Sequence, residues 1–193
     1  MKRLHPGDQA GSSGFTLIEL MLGLAIVGLL TVLALPDYRA FQGRGVLHSA
    51  IAALSADILF ARNTAITRNR PVVLCKQSDA VCTPNGGWEQ GWLIYVDEGQ
   101  AGVQDHTDPV IRRQDGFGYR LSARGNTPVR NRISFRADGS LAGLAGAMVF
   151  CDSRIKIYST DRAEAQVLVI STNGRLRTVK GDEYASITNC EAI

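Results

Sequence analysis

"GFTLIEL", Gly14 to Leu20, opens an apolar run that continues to Leu35 and holds a single ionisable residue, Glu19. About 21 helical residues at ~1.5 Å each reach ~31 Å, enough to cross the hydrocarbon layer of a bilayer. The run therefore reads as a membrane span, and Glu19 sits where such a span tolerates a charge poorly. Before it, Lys2 and Arg3 give a basic start, while the small residues Gly11, Ser12, Ser13 and Gly14 precede the apolar run. A secretory signal has the reverse order, with its small-residue cleavage site after the apolar core. The positive-inside tendency leaves Lys2 and Arg3 in the cytoplasm and sends the C-terminal bulk across the membrane.

The chain has 193 residues and a formal charge of +3, which suits one globular domain with a short appendage. All four cysteines, Cys75, Cys82, Cys151 and Cys190, fall on the far side of the membrane, where disulfides persist. Four cysteines allow three pairings. The favoured one joins Cys75 to Cys82 in a local loop and Cys151 to Cys190, which would pin the chain end. A zinc site is the competing reading, but no pair has C-x2-C spacing and His106 is the only nearby histidine. No metal and no cofactor are expected.

Gly14 followed by Phe15, Thr16, Leu17, Ile18, Glu19 and an apolar helix resembles the processing site of type IV pilins and type II secretion pseudopilins. The resemblance implies that a prepilin peptidase cuts between Gly14 and Phe15 and methylates the new amine of Phe15. Glu19 would then be the fifth residue of the mature chain, and in a filament a neighbour's Phe15 amine would neutralise it. An interfacial carboxylate reaching for the headgroups is the plainer alternative. Small residues at Gly23, Ala25, Gly28 and Thr31 would let membrane helices approach closely, and Pro36 should kink or loosen the helix. The expected divisions are a leader at 1–14, an inner-membrane and assembly helix at 15–36, an amphipathic half of the same helix at 37–68 and an extracytoplasmic β-rich head at 69–193.

Leu47, Ile51, Leu54, Ile58, Ala61 and Ala65 recur at the spacing of an amphipathic helix, with His48 beside the stripe. Beyond Asn69, apolar runs alternate with turn residues. Val72 to Lys76, Trp92 to Val96, Ile133 to Arg136, Ala147 to Cys151, Ile155 to Ser159, Gln166 to Ser171 and Arg175 to Val179 are expected strands. Asp138-Gly139 signals a hairpin turn. The fold expected is α+β, a long N-terminal helix packed on an antiparallel sheet, and the resemblance implies that this is the type IV pilin fold. "GWLIYVDE" (Gly91 to Glu98) and "FRADGSL" (Phe135 to Leu141) resemble paired motifs of the FimT and GspH branch of minor pilins and pseudopilins, with Trp92 and Phe135 read as core aromatics.

Catalysis finds little support, and the chain is expected not to be an enzyme. His5 lies in the leader, His48 on a helix and His106 in the polar loop "DHTD", with no nucleophile in a recognised context. "GLAG" (Gly143 to Gly146) reads as a loop and not as a phosphate cradle.

Basic residues are unevenly placed. Seven arginines (Arg112, Arg113, Arg120, Arg124, Arg130, Arg132, Arg136) lie between residues 112 and 136 against one acid, Asp115. Near the end, "NGRLRTVKG" carries Gly174, Arg175, Arg177 and Lys180. In a strand, Arg175 and Arg177 share a face and two guanidiniums can fork onto successive phosphates. "GRLR" resembles the G-R-x-R motif of FimT-like minor pilins that bind DNA in natural transformation. That implies non-specific binding of double-stranded DNA through Gly174, Arg175 and Arg177, with Lys180 added on charge. The competing readings are a charged edge strand guarded against aggregation, and a structural minor pilin or GspH-like type II secretion pseudopilin that binds no nucleic acid.

Overall fold

The computed structural model describes residues 14–118, 120–153 and 165–184, and within these the side chains of residues 32–37, 39 and 40 are not described. The expected strand at residues 155–159 and Cys190 lie outside the described residues, as does all of the leader before Gly14. Helix α1 spans Leu17–Arg68, with Pro36 inside it and not at its end. Two compact units divide the chain at Tyr38.

In the first unit the helix is apolar all round and exposed: Leu17, Ile18, Leu22, Leu24 and Leu29 all present most of their surface. A helix with no polar face belongs in lipid or among other helices. The stretch Phe41–Arg68 is also long and apolar enough to cross a membrane. Its apolar face, however, is already used in the core of the second unit, as in the core helix of any soluble domain.

In the second unit, Leu47, Ile51, Leu54, Ile58, Ala61 and Ala65 are all buried, joined by Ala50. Among the described residues, nine strands follow in two antiparallel sheets. The first contains β1 (Val72–Ser78), β2 (Val81–Cys82), β3 (Gly91–Val96), β4 (Val110–Asp115) and β6 (Arg132–Phe135), with β1 pairing β2, β3 and β6. The second runs β5 (Leu121–Gly125), β7 (Gly146–Asp152), β8 (Gln166–Ile170) and β9 (Leu176–Lys180), with β9 at its edge among the described residues. The helical stripe, Leu74 and Ile94 of the first sheet, and Met148, Phe150, Leu168 and Ile170 of the second form one apolar cluster. The opposite faces are buried as well, around Val73, Leu93 and Tyr95 on one sheet and Val149, Val167 and Val179 on the other. Burial on both faces explains why β1, β3 and β7 read as continuous apolar runs without polar alternation.

Strands β2, β4 and β5 were not expected from the sequence. The side chains of β4 (VIRRQD) are exposed or half-buried, so the strand carries no period-2 pattern. It is held by backbone pairing to β3 and by long-range side-chain contacts. Strand β5 does alternate, with Leu121, Ala123 and Gly125 buried, but two of those three residues are too small to signal a strand.

Trp92 and Phe135 lie in the core. Trp92 stacks on Phe117 at 5.8 Å, and its indole donates to Asp57 Oδ2 at 2.8 Å. Lys76 is buried at the end of the expected strand, where its ammonium donates to the carbonyls of Pro84 (3.0 Å) and Gly86 (2.8 Å). Desolvation, aided by the neighbouring Arg124, pulls its pKa below the ordinary lysine value.

Candidate functional site

The candidate residues fall in two places, the helix start and the last hairpin. At the start, the amide of Leu20 donates to the Thr16 carbonyl, so Thr16 is the N-cap. The Glu19 carboxylate accepts from both the amide and the hydroxyl of Thr16 at 3.0 Å, and the Glu19 amide donates back to Thr16 Oγ1 at 3.3 Å. This is a capping box, and it satisfies helix-end donors that hydrocarbon would leave bare. The Thr-x-x-Glu spacing announces it, and it is a third role for Glu19 beside the neighbour's Phe15 amine and the headgroups.

The last hairpin joins β8 to β9. Gly174 donates to the Ser171 carbonyl at 2.8 Å, Ser171 donates to the Arg175 carbonyl at 3.0 Å, and Gly174 has φ +75°. This is a three-residue hairpin loop, Thr172-Asn173-Gly174, closed by a glycine in the left-handed region. The Asn173 side-chain oxygen accepts from the amide of Arg175 at 3.2 Å and from the Ser171 hydroxyl at 2.7 Å. The expected turn at Asp138-Gly139 has the same form, with Gly139 (φ +78°) donating to Arg136 and Arg136 donating to the Ser140 carbonyl, both at 2.9 Å. Asp138 plays the part of Asn173, accepting from the Ser140 amide at 2.8 Å and its hydroxyl at 2.6 Å.

The two turns meet over one side chain of α1. Arg62 Nε donates to the Gly139 carbonyl at 2.9 Å. A Cβ on Gly174 would lie 2.9 Å from Arg62 Cδ and Nε and 3.2 Å from the Gly139 carbonyl oxygen. The first residue of "GRLR" is therefore glycine for two local reasons, its backbone angle and the arginine beneath it.

Strand β9 follows in register with β8, Leu176 opposite Ile170 and Arg177 opposite Val169. Alternation puts Arg175, Arg177 and Val179 on one side, and Leu176, Thr178 and Lys180 on the other. Arg175, Arg177 and Lys180 are exposed and make no ion pair among the described residues. The first two share a side of the edge strand, and Lys180 does not.

The larger arginine group is dispersed by the fold. Arg112 pairs with Asp57 at 2.6 Å and lies over the ring of Phe60, 3.9 Å from its centre. Arg124 pairs with Glu89. Arg132 donates to the Gly102 carbonyl, and Arg136 donates to those of Leu141 and Ala142. Arg120 is likewise engaged. Only Arg113 and Arg130 remain exposed and without a partner among the described residues.

The "DHTD" loop also resolves into local structure. Asp108 accepts from the amides of Glu98, Gly99 and Asp105, and Asp105 accepts from those of Gln100 and Thr107. These contacts hold the Asp105 pKa below the usual carboxylate value, chiefly through the Thr107 hydroxyl and amide. His48 is exposed. Cys75 and Cys82 form a disulfide with a Cα separation of 5.7 Å. Cys151 is also disulfide-bonded.

Comparison with known proteins identifies the fold's relatives. The family described as type II transport protein GspH matches residues 50–174, well over half of the chain. The chain belongs to the GspH family. The prokaryotic N-terminal methylation motif matches residues 10–35. Together with the apolar helix it opens, this motif marks a pilin anchored in the inner membrane and later assembled into a filament. Two fimbrial proteins of Pseudomonas aeruginosa are each 38% identical over 98 residues, covering 51% of this chain and 63% of theirs. The chain thus matches less than two thirds of the length of those relatives.

Among solved structures, the type IV minor pilin FimU of Pseudomonas aeruginosa superposes with a TM-score of 0.57 at 22% identity, covering 77% of this chain and 99% of FimU. A second crystal form of FimU gives 0.53 at 20% identity, covering 74% and 99%. That likeness shows the fold, an N-terminal helix packed on antiparallel sheets. The GspH match ends at Gly174, so Arg175, Arg177 and Lys180 fall just beyond it.

Proposed function

We propose that this chain is a minor type IV pilin that assembles with other pilin subunits and captures double-stranded DNA on its last hairpin. The observation that carries the DNA reading is the contrast in partners: Arg175 and Arg177 stand exposed on one side of the last strand and have no partner among the described residues, whereas most arginines of residues 112–136 are engaged. Phosphate contacts of this kind position a protein without reading bases, so binding is sequence-independent. Lys180 reaches the same strand edge from its other side. Three cations at roughly −0.9 each give a slope of log affinity on log salt near −2.7.

Assembly rests on the helix start. A prepilin peptidase cuts between Gly14 and Phe15, removing the leader at 1–14, and methylates Phe15. The helix at 15–36 then lies in the inner membrane until the subunit is withdrawn into a filament, carrying the helix at 37–68 and the head at 69–193. Glu19 exchanges its capping contacts with Thr16 for the charged Phe15 amine of a neighbouring subunit. The reading is non-catalytic, and the carboxylates of Asp97, Asp105 and Asp108 serve as amide acceptors.

A second reading is a structural minor pilin, or a pseudopilin of type II secretion, without DNA binding. It is favoured by the position of β9 at a sheet edge, where exposed charges deter pairing with another chain. The deciding experiment is a gel shift of duplex DNA by the full chain in neutral detergent micelles, at low and rising salt, with and without Arg175→Ala and Arg177→Ala. Absence of a shift by the parent chain at low salt refutes DNA capture. An equal shift by the double variant removes the hairpin from the site and turns attention to Arg113 and Arg130.

A further inference from the structure

The hairpin arginines are not the only cations at that end of the head. Arg62 reaches from α1 to the two glycine turns, and of its donors only Nε is committed, to the Gly139 carbonyl at 2.9 Å. Its Nη1 and Nη2 make no hydrogen bond among the described residues, and neither is among the buried polar atoms left without a partner, so both reach water. The side chain is half-buried, and no ion pair balances its charge among the described residues. Its Cδ and Nε pass within 2.9 Å of where a Gly174 Cβ would stand, on the α1 side of the hairpin that Leu176 faces, while Arg175 and Arg177 project from the other side of the same hairpin. A guanidinium fixed at Nε with both amino groups free is preorganised for an anion, because little side-chain freedom remains to be lost on binding.

We propose that Arg62 is the third arginine of the phosphate-binding surface, its Nε holding the two turns together and its Nη1 and Nη2 contacting a backbone phosphate of bound DNA. The proposal rests on the DNA-binding reading above and extends that site from the edge strand onto the helical spine.

The test is the salt dependence of duplex binding by the full chain in neutral detergent, comparing the parent with Arg62→Gln, Arg62→Lys and the Arg175→Ala/Arg177→Ala pair. Arg62→Gln should weaken binding about tenfold at low salt, as for loss of one hydrogen-bonded charge, and make the log-log slope shallower by about 0.9. Arg62→Lys, which keeps the charge, should restore the slope. If Arg62→Gln keeps the parent's slope while the hairpin pair lowers it, Arg62 is no contact, and DNA capture by the hairpin stands. If Arg62→Gln and Arg62→Lys weaken binding equally at an unchanged slope, Arg62 only supports the turn, which also overturns the proposal. If the parent does not bind at low salt, the DNA reading itself fails. Should Arg62→Gln not fold, the Nε–H resonance of Arg62 in the parent decides. It should move with those of Arg175 and Arg177 when a short duplex is added, and a resonance that stays still sinks the idea.

Discussion

Arg112 and Arg175 are both arginines on exposed edge strands or at their ends, yet they serve opposite ends. Arg112 is clamped by Asp57 and stacked on Phe60, both from α1, so its charge ties β4 to the helix. Arg175 follows a tight turn whose own side chains satisfy the backbone, and its guanidinium has no partner among the described residues. The difference lies in the acids available. Residues 112–136 fold against Asp57 and Glu89, whereas nothing acidic is paired with the 171–180 hairpin among the described residues. Local charge density in the sequence is thus a poor guide to a binding surface. What counts is the charge left over after the fold has made its own pairs.

Four outcomes would sharpen or break this contrast. The Arg175→Ala/Arg177→Ala pair should weaken duplex binding about a hundredfold at low salt, taking about tenfold for each charged contact. Its unfolding free energy should stay within about 0.5 kcal/mol of the parent, as for surface changes generally. A large loss of stability would mean these arginines are structural after all. Asp57→Ala should do the reverse. It leaves the buried indole N–H of Trp92 unpartnered and Arg112 with only the Phe60 ring, at a cost of about 2 to 3 kcal/mol in urea unfolding. The salt slope of DNA binding should not change.

Gly174→Ala comes next, at about 1 to 2 kcal/mol, because alanine is strained at positive φ and its methyl would press on Arg62. A thermal melt that does not move would show that the turn tolerates a Cβ.

The smallest effect concerns acid. The hydroxyl and amide of Ser140 hold the Asp138 pKa below the ordinary carboxylate value. A depressed folded pKa means that Asp138's contribution to the 136–140 turn is complete above the unfolded-state value. It is then lost as pH falls through the folded one. In an NMR titration the Ser140 amide shift should therefore hold steady through about pH 4 and change only below it. In Asp138→Asn it should stay flat, and a midpoint at or above the ordinary value would contradict the contact.

Much of the fold was legible in particular residues. The six-residue stripe from Leu47 to Ala65 follows the helical period, and all six are buried. Strands β1, β3, β7 and β8 declared themselves as β-branched and aromatic runs, since burial on both faces demands such residues. Strand β4 did not, because its stability comes from backbone pairing and from Arg112 bonding to a residue 55 positions away. The capping box was legible in Thr16 and Glu19 through a spacing of three, yet the membrane context drew attention to an intermolecular partner instead. Arg62 was invisible in sequence. Its role depends on two turns that lie far apart along the chain and meet only in space.

By itself the sequence determined the membrane-anchored helix, its processing motif, the apolar stripe and the α+β class. Each of these is written in local periodicity or in a short contiguous motif, and the physics that sets them acts within a few turns of chain. Only the tertiary structure decided which charges are free, because an ion pair is chosen by proximity across strands and helices. That choice consumed most of one basic cluster and left Arg175 and Arg177 exposed without a partner among the described residues, and Arg62 half-buried with only its Nε bonded.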